Sequence, residues 1–137
     1  MSFKIHSMDG GRVPGIEYLP AGAITPQGGM ARVQANGQQV QANGQLALAT
    51  GANAPTYISM CEKDRACTAG EIIPVIRVGK DMILETTFAA AAASVKLGSK
   101  VTLHTDGLQV TATTTSGVAE VVYMDGTASG SMCRVRF

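Results

Sequence analysis

The sequence predicts an all-β fold, a small β-barrel or sandwich, with one short Ala-rich helix and an extended N-terminal arm. Short segments either alternate apolar and polar residues or are rich in β-branched residues, and turn residues separate them. The one stretch with strong helix propensity is short. The 137 residues suit one compact unit, which we divide into an arm over residues 1–28 and a β-rich domain over residues 29–137.

The arm is predicted from the glycines and prolines that interrupt residues 1–28 every few positions. Its apolar residues are more numerous than a linker needs if it only has to stay in solution. We therefore expect the arm to dock on another surface. The candidate anchors are Phe3, Ile5, Ile16, Tyr18 and Leu19.

A seven-residue tandem repeat follows the arm, with residues 33–39 almost copied by residues 40–45. Each copy contains an Asn-Gly pair, which favours a type I′ hairpin turn. Two hairpin turns and one loop lengthened by duplication both fit this pattern, so the local structure stays open.

The rest of the chain predicts six further strands and one helix. Pro74 interrupts one of the strands, and we expect it at an edge, a bulge or a strand switch because proline cannot donate to the ladder. Residues 89–93, all alanine, predict a short connecting helix. The predicted strands cover residues 45–49, 56–60, 71–78, 82–88, 118–124 and 132–137.

A β-hairpin is predicted over residues 100–113, with Asp106 and Gly107 as a two-residue turn. This register places like residues opposite each other, so the turn and the alternation support the same pairing. The predicted pairs are Thr105 with Leu108, Leu103 with Val110, Val101 with Ala112, His104 with Gln109 and Thr102 with Thr111.

Charge and hydropathy exclude several partners. With 11 Lys and Arg against 10 Asp and Glu, and no basic run, nucleic-acid binding is disfavoured. No apolar segment approaches the roughly 20 residues of a membrane helix, and the first residues lack a secretory signal, so we expect synthesis in the cytoplasm and no membrane partner. Charged residues make up 15% of the chain, below the roughly 25% of ordinary soluble domains. A surface this poor in charge is typical of an assembly component.

The sequence contains no recognisable set of catalytic residues, and we predict no enzyme, no cofactor and no metal site. His6 and His104 have no identifiable orienting partner for a general base. The spacing of Cys61 and Cys67 does not match a zinc knuckle, and neither common phosphate-loop motif occurs. We expect Cys61, Cys67 and Cys133 to be small buried hydrophobic residues.

Several segments together resemble the tailed-phage capsid decoration proteins, also called head-stabilising or cementing proteins, a class that includes the phage-lambda-like decoration protein. The resemblance covers residues 17–137. The matching segments are Glu17-Tyr-Leu-Pro-Ala-Gly22, Gly29-Met-Ala31, Leu97-Gly-Ser-Lys-Val-Thr-Leu103, Asp106-Gly-Leu108, Gly117-Val-Ala119, Gly126-Thr-Ala128 and Arg134-Val-Arg-Phe137.

The resemblance implies a structural virion protein on the capsid exterior, a homotrimer that binds the major capsid protein of an expanded icosahedral head. The arm would then lie along neighbouring capsid subunits, with its five anchors as capsid-binding residues. The alternative is a fibre, tail or surface adhesion module whose face of Thr102, Thr111 and Thr113 binds a receptor or glycan. The scarcity of aromatic residues disfavours this alternative. An enzyme with a site between subunits is a distant third hypothesis.

Overall fold

The computed structural model describes residues 3–8, 15–22, 29–33, 45–60 and 68–137. These residues form two antiparallel five-stranded sheets, and no helix occurs among them. The all-β prediction is confirmed. The barrel alternative is wrong for the described ranges, because the two sheets stay open.

The strands in chain order are β1 (Lys4–Met8), β2 (Ile16–Pro20), β3 (Met30–Val33), β4 (Leu46–Leu48), β5 (Tyr57–Ser59), β6 (Ile72–Arg77), β7 (Met82–Thr87), β8 (Lys100–Val101), β9 (Ala119–Met124) and β10 (Met132–Arg136). The first sheet has the order β1-β7-β10-β9-β8, and the second has the order β2-β6-β5-β3-β4. Every strand pair within the sheets is antiparallel.

One core cluster takes side chains from both sheets. Burial alternates along β7: Met82, Leu84 and Thr86 are buried, and the residue that follows each of them is partly exposed. Ile58 and Ile76 of the second sheet pack into the same cluster. A second, smaller cluster lies on the opposite face of the second sheet and consists of Ala21, Leu46, Tyr57, Ile73 and Val75, with Leu19 against it.

The six strands predicted from alternation and β-branched residues are confirmed as β4, β5, β6, β7, β9 and β10. The sequence did not predict β1, β2 or β3. Two of these lie within residues 1–28: β1 pairs with β7 at one edge of the first sheet, and β2 pairs with β6 at one edge of the second. The bulge between Ile5 and Ser7 makes the β1 edge irregular.

The Ala-rich helix over residues 89–93 is wrong. The Ala89 N–H donates to the Val110 carbonyl at 2.8 Å, and the Ala92 N–H donates to the Thr127 carbonyl at 2.7 Å. Because these donors bond to distant strands and loops, they are not available for the i to i−4 bonds of a helix. Helix propensity is a weak preference that such tertiary hydrogen bonds override.

The hairpin register around residues 102–111 is confirmed. Leu103 and Val110 form an antiparallel bridge, and the hydroxyl oxygens of Thr102 and Thr111 lie 2.6 Å apart. The predicted pair of Val101 with Ala112 is not formed. The Thr102 N–H donates to the Thr113 carbonyl at 3.0 Å, which shifts the register, and Val101 pairs with Ala119 of β9.

The turn of this hairpin differs from the predicted two-residue type I′ turn. Gly107 has a φ of 68° and its N–H donates to the His104 carbonyl at 3.1 Å, but Asp106 does not have a positive φ. A type I′ turn needs positive φ at both central residues. The Asp106 carboxylate instead accepts bonds from the Leu108 N–H at 2.8 Å and from the Gln109 amide at 3.0 Å. The Thr87 hydroxyl donates to the Gln109 side-chain oxygen at 3.0 Å, so the amide of the buried Gln109 is hydrogen-bonded on both sides.

Pro74 lies in β6, an interior strand, and not at a sheet edge. Its carbonyl accepts a bond from the Met60 N–H at 2.8 Å, one residue beyond the end of β5. Such an antiparallel pair normally shares two hydrogen bonds. Pro74 has no N–H to donate to the Met60 carbonyl, so this pair has one hydrogen bond. The missing bond lies just beyond the end of β5, where it does not interrupt the ladder.

Residues 34–44 and 61–67, which hold most of the tandem repeat together with Cys61 and Cys67, lie outside the described residues. Cys133 is fully buried and free, in agreement with its predicted role as a small hydrophobic residue.

Candidate docking surface

The five predicted anchors occupy two different sheets. Phe3 is 2% exposed and its ring centroid lies 6.4 Å from that of Phe137, so it belongs to the core of its own chain. Ile5 is half-buried in β1 and packs against the same core. A side chain already covered by its own chain offers little apolar surface to a partner. The docking potential therefore lies in the other three residues.

Strand β2 separates those three residues by face. Ile16 and Tyr18 are 55% and 67% exposed on one face, because side chains two positions apart in a strand point the same way. Leu19 points to the opposite face and packs against the second core cluster. Ile16 and Tyr18 are thus the two predicted anchors that remain free to contact a partner.

The register of β2 on β6 extends this exposed face into a continuous surface. Tyr18 lies opposite Pro74, and Pro20 lies opposite Ile72, which is 60% exposed. Directly opposite residues of an antiparallel pair point to the same face. We call this surface the apolar strip: Ile16, Tyr18, Pro20, Met60, Ile72 and Pro74.

The apolar strip lies on the same face of the second sheet as the shared core, next to the part of that face that the first sheet covers. Ile16 pairs with Ile76, which pairs with Ile58, and the last two are buried in the shared core. One row further along the sheet, the equivalent face is open to solvent. Ile72 and Met60 were not predicted as surface residues from the sequence. The Glu-Ile-Ile-Pro run at residues 71–74 was the available signal, since two adjacent isoleucines in a strand must point to opposite faces.

A charged cluster occupies the opposite face of the second sheet. The Arg77 guanidinium lies 5.0 Å from the Tyr57 ring centroid and donates to the Tyr57 hydroxyl at 2.8 Å. Glu17 of β2 lies 3.5 Å from the same guanidinium. These contacts link β2 to β6 and β5 on the side that does not carry the apolar strip.

The outer face of the first sheet is polar. Arg134 lies 3.5 Å from Glu85 and 4.6 Å from the Tyr123 ring centroid. The bulge that places Val122 outside the pairing of β9 with β10 brings Tyr123 to this face, opposite Arg134. The face therefore combines ion pairs with one exposed aromatic ring.

A cavity of about 340 Å³ lies at the other end of the first sheet. Arg136 of β10 donates to Glu120 of β9 at 2.8 Å within it. The lining residues are Lys80, Lys100, Val118, Glu120, Arg136 and Phe137.

Two of the residues considered for chemistry, Thr102 and Cys133, have hydrogen bonding or burial that suits a structural role. The hydroxyls of Thr102 and Thr111 bond to each other, so this pair is partly satisfied within the proposed glycan-binding face. Burial raises the pKa of the Cys133 thiol to about 12, which keeps it protonated and unreactive. Within the described part of the chain, no three His, Cys, Asp or Glu residues are grouped to hold a metal ion.

Comparison with known proteins does not assign a function, so the argument for one rests on the surface features described above. No protein-family model matches the sequence, and a search of curated proteins finds no relative. Among the described residues, no helix is long and apolar enough to cross a membrane.

Proposed function

We propose that this chain is a structural virion protein that binds the outer surface of an expanded icosahedral phage head and stabilises the capsid lattice. Its partner in this proposal is the major capsid protein, and its working form is a homotrimer. The apolar strip is the observation that carries the proposal. Ile16, Tyr18 and Ile72 are each more than half exposed and lie on one face of two paired strands, in three successive cross-strand rows.

Three exposed apolar side chains on one face of the sheet favour an interaction site. Single exposed hydrophobic residues are normal on protein surfaces, but a contiguous group marks a place where a partner binds. Covering the strip would contribute about 25 cal/mol for each Å² of apolar area removed from water. The low charged fraction of the chain, 15%, is in keeping with a component of a protein assembly.

The strip is held in place before any partner arrives. Strand β2 pairs with β6 without a bulge from Ile16 to Pro20, and the Arg77–Glu17 contact supports it from behind. A partner therefore does not have to order these residues, and the entropy cost of docking is smaller than for a flexible arm. In this proposal the anchoring residues of the extended arm belong to a strand that is paired within the sheet.

Modest affinity at one strip is enough if several strips act together. A trimer would present three copies, and binding of the first raises the effective concentration of the other two at the lattice. Stabilisation of a shell then follows by mass action, because a ligand that binds only the assembled state shifts the equilibrium towards that state.

Co-sedimentation tests the proposal, using expanded heads of the encoding phage assembled without this protein. Deleting residues 1–20 is unsuitable, because it removes β1 and β2 and uncovers the core. We would compare the unaltered protein with the double variant Ile16→Ser, Tyr18→Ser. Leu97→Ser is the matched control, since Leu97 is 64% exposed but lies outside the strip.

The proposal predicts saturable binding that the double variant loses and the control keeps, with a trimer seen by light scattering. Failure of the unaltered protein to bind heads would overturn it. In that case specific binding on a glycan array would favour the fibre, tail or adhesion module.

A further inference from the structure

Within the described ranges, four strands lie at the edges of the two sheets, and three of them are poorly suited to pairing with another chain. Strand β1 has a bulge between Ile5 and Ser7, β8 has two residues, and β4 has three. Bulges and short strands are common ways of protecting a sheet edge. Strand β2 has five residues and no bulge, and its one protective feature is Pro20 at the last position. It is therefore the least protected of the four edges.

The hydrogen bonds at the end of β2 show which of its backbone groups face outward. The Ala21 N–H donates to the Glu71 carbonyl at 2.7 Å, on the β6 side of the strand. Residues along an antiparallel strand alternate between pairs that exchange hydrogen bonds with the neighbouring strand and pairs that do not. The N–H and carbonyl groups of Ile16 and Tyr18 therefore face away from β6, at the outer edge of the sheet.

Two further hydrogen bonds support this orientation of Tyr18. Pro74, the residue opposite Tyr18, has no N–H, and its carbonyl accepts from the Met60 N–H on the β5 side. On the outer side of β2, the Gly22 N–H donates to the Leu46 carbonyl at 2.7 Å, and Gly22 has the same alternation as Tyr18. No described strand pairs with the outer edge of β2 before that point. Within the described part of the chain, the Tyr18 backbone thus lacks a strand partner.

The outer edge of β2 is complementary to a second copy of itself. In an antiparallel arrangement about Tyr18, each Tyr18 N–H would donate to the Tyr18 carbonyl of the other copy. Ile16 of each copy would lie opposite Pro20 of the other, so apolar residues meet on the face of the apolar strip. Glu17 would lie opposite Leu19, so no like charges meet. The two apolar strips would then be neighbours on one continuous sheet.

We propose that the outer edge of β2 binds the same edge of a second copy of this chain, in a two-fold antiparallel contact centred on Tyr18. Such a contact uses the same surface on both copies and joins them in pairs. It therefore does not itself close a trimer, and in a trimeric protein it connects copies that belong to different trimers. The contact forms in the purified protein, so it does not depend on capsid binding.

Light scattering of the purified protein over a range of concentrations tests the contact. The weight-average mass should rise with concentration above its value in dilute solution. Tyr18→Val and Tyr18→Pro form a matched pair, because both lose the aromatic ring and only proline lacks the N–H. Proline is tolerated at an edge position whose N–H faces outward, and thermal unfolding checks that both variants fold. Tyr18→Pro should associate about tenfold more weakly than Tyr18→Val, because the contact loses one hydrogen bond from each copy.

Hydrogen exchange of the unaltered protein, followed by NMR, is a second test that needs no variant. The Tyr18 amide should exchange rapidly in dilute solution and become protected as the concentration rises. The Leu19 amide is the internal control, because it faces β6 and should be protected at every concentration. A mass that does not change with concentration, equal association of the two variants, or a Tyr18 amide already protected in dilute solution would each overturn the proposal.

Discussion

The substitution Ile72→Thr tests whether the anchor is a surface made by two strands or only the residues of the N-terminal segment. Ile72 is 60% exposed in β6, far along the chain from Ile16 and Tyr18. Full burial of an isoleucine is worth about 1.5 to 3 kcal/mol, so covering its exposed fraction would contribute roughly 0.9 to 1.8 kcal/mol. We therefore expect Ile72→Thr to weaken head binding about 5- to 20-fold.

The assay is a binding isotherm on heads that lack the protein, with thermal unfolding measured in parallel. Threonine keeps the β-branched shape that suits a strand, and an exposed site changes the free energy of unfolding by no more than about 0.5 kcal/mol. Leu97→Thr serves as the control for loss of an exposed apolar side chain elsewhere. If Ile72→Thr binds like the unaltered protein while the Ile16, Tyr18 double variant does not, the strip is not the docking surface.

Two further predictions concern stability. Gly117→Ala should lower the free energy of unfolding by about 1 to 3 kcal/mol in urea, because an added Cβ would lie 2.0 Å from the Lys100 carbonyl oxygen; Gly15→Ala meets open space and should change it by less than about 0.5 kcal/mol. Equal effects would contradict this packing. For Cys133, burial raises the folded pKa to about 12 from the ordinary 9.0, so the unfolded thiol ionises first as pH rises. The free energy of unfolding should then fall by about 1.4 kcal/mol per pH unit between about pH 9 and 12, and Cys133→Ala should show a flatter alkaline slope; parallel slopes would contradict it.

Strands whose alternation matches their burial were predictable. In β10, apolar and charged residues alternate from Cys133 to Arg136, and the structure buries Cys133 and Val135. Strands β1 and β2 gave no such signal, because the glycines and prolines between them dominate the local pattern. Their stability comes from pairing with β7 and β6, and that information lies about 60 to 80 residues away.

The sequence predicted only part of the apolar strip, because tertiary pairing decides which apolar residues are exposed. Tyr18 and Ile16 could be singled out as apolar residues in an irregular segment. Phe3 looked the same in the sequence, yet the structure buries it against Phe137. Ile72 looked like an ordinary core residue, and its exposure follows from where β5 ends, which single-strand alternation does not encode. Local pattern identifies apolar faces, whereas tertiary pairing decides which of them are covered.

The nested pairing of the two N-terminal strands has a consequence for synthesis. Lys4 pairs with Glu85, and Ile16 pairs with Ile76. Ribosomes add roughly 5 to 20 residues per second. Strand β7 is therefore synthesised roughly 4 to 16 s after β1, its partner in the sheet. During that interval the nascent chain exposes apolar edge segments without their ladders, which makes it a target for chaperones and proteases. We expect the yield of folded protein to depend on temperature and translation rate more than its final stability suggests.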